Sequence, residues 1–179
     1  MLDIRKNSQI STPNSLAPAA DEFYKRNIEK KREDELLQLL SFIVDDEDYA
    51  LELSETSEVI KMREITEVPY APLFIAGIIS LRGEIIPVIS LQKRLGLKER
   101  DITPEARMLV ASHADIKVGL IVDRIMGVVR VNTNDIESTS SIQQEGGSEF
   151  IRGVIHHKDR LIILLNLPIL LKMEEAYGL

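Results

Sequence analysis

The stretch that decides the fold is FIAGIISLRGEIIPVISL, residues 74–91, since its pattern occurs again as FIRGVIHHKDRLIILLNL, residues 150–167. The two stretches align without a gap, and each holds two aliphatic runs around a charged turn. The turn is Arg82-Gly83 in the first stretch and Lys158-Asp159 in the second. β-Branched residues dominate the runs, and Gly83 can take the positive φ of a tight turn. Each stretch therefore predicts a β-hairpin.

The repeat extends upstream of both hairpins. Ala50-Leu51 matches Gly119-Leu120, and Glu58–Lys61 matches Gly127–Arg130. Short aliphatic runs recur from Leu36 onward, separated by turn-forming or charged residues, which indicates about ten short strands. We therefore expect a mainly β fold of two related subdomains with about five strands each, packed on a shared apolar face. A chance likeness among aliphatic strands is the alternative.

Two prolines carry local predictions. Pro87 lies within a predicted strand, and because it cannot donate to a sheet it should occupy an edge or a bulge. Pro168 suits the first turn of a helix that we expect to run to Ala176, with Gly178 ending it. The C-terminus should therefore be a short helix.

The first 35 residues differ from the rest. Residues 1–20 are rich in Ser, Pro, Ala and Asn, which favours a flexible tail. Residues 21–35 carry many charges of both signs and few apolar positions, so they suit an exposed, solvated helix. A docking helix is the alternative. We expect residues 1–35 to be a flexible or helical extension and residues 36–176 to be the β domain.

The composition narrows the class of protein. The chain has 179 residues, 44% of them hydrophobic, and a formal net charge of −7. The acidic balance disfavours nucleic acid and anionic membranes as partners. The absence of Cys excludes disulfides and thiolate chemistry and fits a reducing cytosol. With no apolar stretch of about 18 residues, we expect a cytoplasmic protein with no direct membrane insertion.

No catalytic constellation emerges from the sequence. The histidines are His113, His156 and His157, and adjacent residues of a strand point to opposite faces, so the pair suits a shared metal poorly. Gly146-Gly147 lacks the Lys-Ser/Thr and the helix of a phosphate loop. A small-molecule sensor and a β-scaffold hydrolase are the rival classes, and neither has its required motif. We expect a binding protein that is not an enzyme, with no cofactor and no catalytic or metal site.

The segment Gly77–Leu91 resembles the signature of CheW-type chemotaxis coupling proteins, Gly-Val-x-Asn-Leu-Arg-Gly-x-Ile-x-Pro-Val-x-Asp-Leu. Phe42–Leu53 is similar to the opening hairpin of that family, and Gly119–Asp123 to its Gly-Leu-x-Val-Asp segment. Two departures from the signature stand out, Ser80 in place of Asn and Ser90 in place of Asp. Both serines keep a small hydrogen-bonding side chain, so the turns should survive.

The resemblance implies a fold and a role. The fold is all-β, with two five-stranded SH3-like barrels packed together and a short C-terminal helix. The role is that of a non-enzymatic scaffold in chemotaxis signal transduction. Its partners are the regulatory domain of a CheA-type histidine kinase and the cytoplasmic tip of methyl-accepting chemoreceptors. The alternative is an adaptor of the same kind in a non-flagellar pathway, such as pilus motility or another kinase-controlled output.

The same resemblance implies a set of partner-binding residues. Arg82 on a rigid turn suits bidentate capture of a receptor carboxylate, although a solvated turn arginine is the bland alternative. Gly77 within a strand suits the close approach of another backbone, or else a bulge. Val128 would line an apolar groove or be an ordinary core valine. The resemblance places Thr56 and Glu58 on a partner surface, with Glu58 as a rim charge.

Overall fold

The computed structural model describes residues 17–34, 36–138 and 148–172. The chain divides into two compact units, residues 1–35 and residues 36–179. Within the described ranges the helices are α1 Ala17–Asp34, α2 Leu91–Arg94 and α3 Leu167–Leu170. The strands are β1 Leu36–Val44, β2 Glu47–Glu52, β3 Thr56–Lys61, β4 Ile75–Leu81, β5 Glu84–Ser90, β6 Arg107–His113, β7 Ile116–Val122, β8 Arg124–Asn132, β9 Ile136–Ser138, β10 Ile151–His157 and β11 Arg160–Leu165.

The first unit contains one long helix, α1. Its residues 20–29 are all exposed, including the apolar side chains of Phe23, Tyr24 and Ile28. These three are more than half exposed, at 65%, 66% and 52%, so they form no buried stripe. The proposed flexible tail lies largely outside the described residues. Among the described residues, no helix is long and apolar enough to cross a lipid bilayer.

The second unit is built from two sheets. One sheet has six strands in the order β8-β1-β2-β11-β10-β9, and the other has five in the order β3-β6-β7-β5-β4. The two hairpins predicted from the repeat are present as β4–β5 and β10–β11. Each hairpin has a bulge near its start, between Ile75 and Gly77 in the first and between Ile151 and Gly153 in the second. A bulge bends and twists a strand, which helps a sheet to close.

Each sheet closes on itself in the same way. The chain after β3 crosses to the opposite edge of its sheet, where Thr66 and Ile78 exchange two backbone hydrogen bonds of 2.9 Å. In the six-stranded sheet, β9 follows the edge strand β8 and pairs with β10. The predicted pair of small β-barrels is therefore confirmed, with β9 as an added short strand.

The barrels do not coincide with the two halves of the chain. The hairpin β1–β2 pairs with β8 and β11, whereas β6–β7 pairs with β3 and β5. Each barrel thus takes its first hairpin from one copy of the repeat and its remaining strands from the other. Two parallel pairings, β2–β11 and β5–β7, join the exchanged pieces.

The buried apolar side chains form three clusters. The largest lies between the two barrels, and it explains why apolar and polar residues do not alternate regularly along the strands. One cluster lies within the six-stranded barrel and includes Leu39 and Ile162. A second lies within the five-stranded barrel and includes Val88 and Met108. The largest draws on both barrels, with fully buried Phe42 and other members from each sheet. Strands such as β1 and β6 are therefore buried on both faces, which confirms the predicted shared apolar face.

Local details qualify two sequence expectations. Pro87 lies in β5, which is an interior strand, and it pairs with Ile78 outside the bulge between Ile75 and Gly77, so the predicted edge or bulge position is wrong. It is tolerated because the parallel pairing of β5 with β7 begins only at the next residue, Val88. The C-terminal helix is shorter than expected, because α3 ends at Leu170, and residues 173–176 lie outside the described part of the chain.

Candidate partner-binding site

The tip of the β4–β5 hairpin presents an arginine to solvent. Both turn residues have positive φ, 53° at Arg82 and 85° at Gly83, which matches a two-residue hairpin turn. An arginine in the left-handed region is uncommon, so the turn geometry here is set by the hairpin and not by the residue's own preference. The Arg82 side chain is 78% exposed. The hairpin therefore holds a permanent positive charge outward from a rigid turn.

Glu58 fixes the direction of this charge. Its Oε2 accepts a hydrogen bond from Nη2 of Arg82 at 2.9 Å, and the Glu58 side chain is only 28% exposed. Since Glu58 lies on β3 and Arg82 follows β4, the pair joins the two opposite edge strands of the five-stranded sheet. An exposed pair of this kind adds about 1 kcal/mol or less to stability. Its main effect is to orient a guanidinium that still has further N–H groups to offer.

The surface around the pair is polar and shallow. A depression of about 310 Å³ is lined by both partners together with five neighbours. Among those neighbours, Lys117 forms an ion pair with Glu84. A surface with two exposed ion pairs can exchange them for ion pairs with a partner at little cost in desolvation. The five neighbours are Ser57, Leu81, Glu84, Val110 and Lys117.

Thr56 lies at the start of β3, on the same strand as Glu58. Its hydroxyl donates a hydrogen bond to the carbonyl oxygen of Leu53 at 2.9 Å, and the residue is half-buried. The pairing of β3 with β6 has a register shift between Thr56 and Glu58. Thr56 therefore helps to set the position of Glu58 on the edge strand.

Gly77 is buried, and its backbone is approached by another segment of the same chain. Its φ is +146°, and a Cβ at this position would lie 2.3 Å from the carbonyl oxygen of Thr66. The bulge and the close backbone approach, which were alternatives at the sequence level, therefore occur together. Gly77 shapes the hairpin that carries Arg82 and offers no exposed atoms of its own.

Val128 lies on β8, in the other sheet, and is 52% exposed. The core-valine alternative is therefore wrong. The structure brings Arg82, Glu58 and Thr56 together on one barrel and leaves Val128 on the outer surface of the other.

Sequence reasoning missed an arginine that joins the two repeats. The guanidinium of Arg94 lies 4.1 Å from the ring centre of Phe74 and 4.7 Å from that of Phe150, the first residues of the two repeated stretches. It also donates hydrogen bonds to carbonyl oxygens at the end of α3, including that of Lys172 at 2.6 Å. The alignment of the two phenylalanines was visible in the sequence, but nothing in it showed that their rings meet at one cation.

A second missed cluster straps the loop after α2 to the β1–β2 turn. Arg100 Nη1 donates to Asp46 Oδ2 at 2.6 Å, and its Nε lies 2.6 Å from Asp45 Oδ1, within ion-pair range. These carboxylates raise the pKa of Arg100 further, with the hydrogen bond to Asp46 as the largest cause. Asp123 accepts from the backbone N–H of Asp45 at 2.8 Å and from the amide of Gln92 at 3.1 Å.

The cavity beside this strap shows no arrangement of catalytic groups among the described residues. It holds about 330 Å³, but the carboxylate of Asp123 in its wall is already bonded within the protein. Tyr49 offers no ionised phenol. Burial raises its pKa, the hydrogen bond to Glu47 raises it further, and the phenol therefore stays protonated. Within residues 17–34, 36–138 and 148–172, no group of three His, Asp or Glu side chains is placed to hold a metal ion.

Comparison with known proteins gives the family. The model of the CheW-like domain matches residues 38–175. The chain is 32% identical over 150 residues to the chemotaxis protein CheW of Treponema pallidum, covering 82% of this chain and 88% of that protein. It superposes with a TM-score of 0.71 and 34% identity on the scaffolding protein CheW of Thermoanaerobacter tengcongensis, covering 76% of this chain and 88% of that one. A more distant relative is the protein PilI of Pseudomonas aeruginosa, 25% identical over 62% of each chain. The chain therefore belongs to the CheW-like domain family.

Proposed function

We propose that this chain is a non-enzymatic scaffold that links the cytoplasmic tip of methyl-accepting chemoreceptors to the regulatory domain of a CheA-type histidine kinase in chemotaxis. The observation that supports a specific binding site is the exposed Arg82, which lies on a rigid turn and is oriented by Glu58. Family membership and the named relatives, a chemotaxis protein and a scaffolding protein, support the role. These partners imply a cytoplasmic location.

Arg82 suits the recognition of a carboxylate on a receptor helix. Glu58 occupies one edge of the guanidinium with a single hydrogen bond, so a partner carboxylate can approach another edge without first breaking the pair. Because the turn and the ion pair already restrict the arginine, little side-chain entropy is lost when the partner binds. Thr56 and Gly77 act indirectly, through the position of β3 and the shape of the hairpin. The exposed Val128 belongs to a separate contact on the other barrel.

The test is kinase coupling in a reconstituted system of receptor-containing membranes, CheA-type kinase and purified adaptor. We expect Arg82→Glu to abolish receptor-dependent control of kinase autophosphorylation, because the charge is reversed where a partner carboxylate must bind. The matched control is Lys158→Glu, at the tip of the twin hairpin, where Lys158 also has positive φ and is exposed. This control should couple normally.

Thermal unfolding and kinase coupling together distinguish a misfolded variant, a wrong site and a wrong role. Thermal unfolding of both variants should match that of the wild type, because each side chain is exposed. Normal coupling by a folded Arg82→Glu protein would remove Arg82 from the site and leave the scaffold role intact. Failure of the wild-type chain to support coupling with any receptor and kinase pair would refute the role itself.

A non-flagellar pathway such as pilus motility, which the family resemblance leaves open, is the second candidate. The likeness to the protein PilI is weaker in identity and in coverage than that to the CheW relatives, which favours the chemotaxis assignment. Deletion in the source cell separates the two. Loss of swimming bias with intact surface motility supports chemotaxis, and the reverse supports the pilus pathway.

A further inference from the structure

Helix α1 presents an apolar face to solvent. Tyr24 and Ile28 lie one turn apart on this face, and Ala20 lies one turn before them. Both large side chains are more than half exposed. The ring of Phe23 packs edge-on against that of Tyr24, with 6.5 Å between the ring centres. Exposed aromatic and aliphatic side chains in successive turns mark a surface that fits another helix.

The charges on this face change sign along the helix. At 3.6 residues per turn, the positions of Asp21 and Lys31 both fall within about 60° of Tyr24 around the helix axis. Asp21 forms no ion pair within the described part of the chain. Glu22, its neighbour in sequence, lies about 160° from Tyr24, on the opposite side of the helix. The face therefore runs from an acidic position through an apolar centre to a basic position.

A face with this pattern is complementary to its own reverse. When two copies of α1 lie antiparallel, Tyr24 of one copy faces Ile28 of the other, and the same register sets Asp21 opposite Lys31. Both pairs are centred on residue 26, so a single two-fold axis generates every contact. In a parallel pair in register, each charged position would meet its own like charge, which opposes that pairing. The charge pattern therefore selects a second copy of this helix in the antiparallel orientation.

We propose that α1 is a dimerisation helix, which pairs antiparallel with α1 of a second copy of this chain. The helix has 18 residues and is about 27 Å long, so the contact lies below the area of a stable dimer and the association is weak and reversible. An isolated helix of this length is marginal in water, so the pairing also stabilises the helix itself. The contact is made by α1 alone, and it is independent of the function proposed above.

The first test is sedimentation velocity of the purified full chain from about 10 μM to about 1 mM, a range that brackets weak association. The wild type should associate as concentration rises. Ile28→Glu should lower the association constant by about tenfold or more, because it sets a carboxylate against the partner's Tyr24. The matched control is Ile102→Glu, at a 60% exposed isoleucine outside α1, which should associate as the wild type does. A monomeric wild type at about 1 mM, or an Ile28→Glu variant that associates normally, would overturn the proposal.

The second test is a charge exchange within α1. Asp21→Lys and Lys31→Glu should each weaken association several-fold, and the chain that carries both should recover it to within a few-fold of the wild type. Glu22→Lys makes the same change of charge on the opposite side of the helix, so it should have little effect. A Glu22→Lys variant as weak as Asp21→Lys, or a double variant as weak as either single one, would overturn the pairing of these charges.

The third test reads the orientation of the two helices. The chain contains no Cys, so a single introduced cysteine reports on one position. The antiparallel register brings Asn27 of the two copies within about 3 Å along the helix axis and separates Ala20 of the two copies by about 18 Å. A short thiol crosslinker should therefore join two copies of Asn27→Cys and not two copies of Ala20→Cys. Equal crosslinking of both variants would indicate a parallel pair, and no crosslinking at Asn27 would exclude the proposed register, so either result would overturn the proposal.

Discussion

The two repeated hairpins are alike in their backbone and differ at their surface. In each, the residue before the helix donates its N–H to the first phenylalanine, Ser90 to Phe74 at 2.8 Å and Asn166 to Phe150 at 2.7 Å. The same two residues cap α2 and α3 with their side chains.

The tips of the hairpins carry the difference. Arg82 pairs with Glu58, and its equivalent Lys158 has no ion pair within the described residues. Features common to both copies therefore serve the fold, and features of one copy are candidates for function.

The glycines give the largest test of the shared backbone. Gly77→Ala should cost about 3 kcal/mol or more in unfolding free energy, because a Cβ meets the Thr66 carbonyl oxygen at 2.3 Å and φ is +146°. Gly153→Ala should cost less, about 1–2 kcal/mol, because its φ lies outside the positive range and its nearest backbone atom, the Glu137 carbonyl oxygen, would lie 2.8 Å from the Cβ and not 2.3 Å. Urea unfolding of both variants measures the difference. Equal costs would show that contact, and not backbone conformation, dominates.

The next test concerns the contact that joins the copies. Arg94→Leu should lower the unfolding free energy by about 2–3 kcal/mol, because carbonyl oxygens at the end of α3 lose their donor and two aromatic rings lose their cation. Arg94→Lys should recover only part of this loss, since an ammonium group lacks the planar fork. Urea unfolding measures both changes. A Leu variant as stable as the wild type would show that the two copies are held together by apolar packing alone.

A smaller test uses pH. Burial, followed by repulsion from Glu52, raises the pKa of Glu55 above its ordinary value of 4.5. Between that value and its raised value, the folded state binds more protons than the unfolded state, so this group lowers stability as pH rises through the window. Glu55→Gln should remove that loss and add less than about 1 kcal/mol at pH 7, since the partly exposed group is screened by solvent.

The comparison is to unfold Glu55→Gln and the wild type at pH 4 and at pH 7. The gain should be present at pH 7 and absent at pH 4, where the wild-type carboxyl is largely protonated in both states. The neighbouring ion pair joins Arg152 of the second copy to Glu52 of the first, and Ala76, at the position that matches Arg152, can form no such pair. A gain of equal size at both pH values would assign the effect to packing and not to charge.

The smallest expected effect is at the tips. Arg82→Ala and Lys158→Ala should each change the unfolding free energy by less than about 0.5 kcal/mol, because both side chains are exposed. Kinase coupling measured on the same two proteins should fall only for Arg82→Ala. A large loss of stability at Arg82 would mean that its pair with Glu58 holds the barrel closed, and would recast the site as structural.

Much of the fold could be predicted from local patterns. Runs of β-branched residues around Arg82-Gly83 and Lys158-Asp159 encode hairpins because strand propensity and turn conformation depend on near neighbours. Ser90, which stands where the family signature has Asp, keeps a hydrogen-bonding side chain, and its hydroxyl accepts the backbone N–H of Lys93 at the start of α2. The repeat itself also predicted two packed β subdomains, and the family resemblance implied that these are barrels.

The candidate site was only partly predictable. Arg82 and Glu58 were named from the family resemblance, but their ion pair joins residues 24 positions apart across a closed sheet. Pairing over that distance depends on barrel closure, which no local pattern encodes. The exposure of Val128 was equally undecided, because an alternating strand has the same sequence whichever face turns outward.

By itself, the sequence determined the hairpins, the turns and the existence of a repeat, all of which arise from interactions between residues close along the chain. Tertiary structure alone decided that β1–β2 joins the strands of the second copy and β6–β7 those of the first. Both arrangements satisfy the same strand pattern, and the choice depends on which packing buries both faces of these strands in the shared core. The convergence of Phe74 and Phe150 on Arg94 follows from that choice.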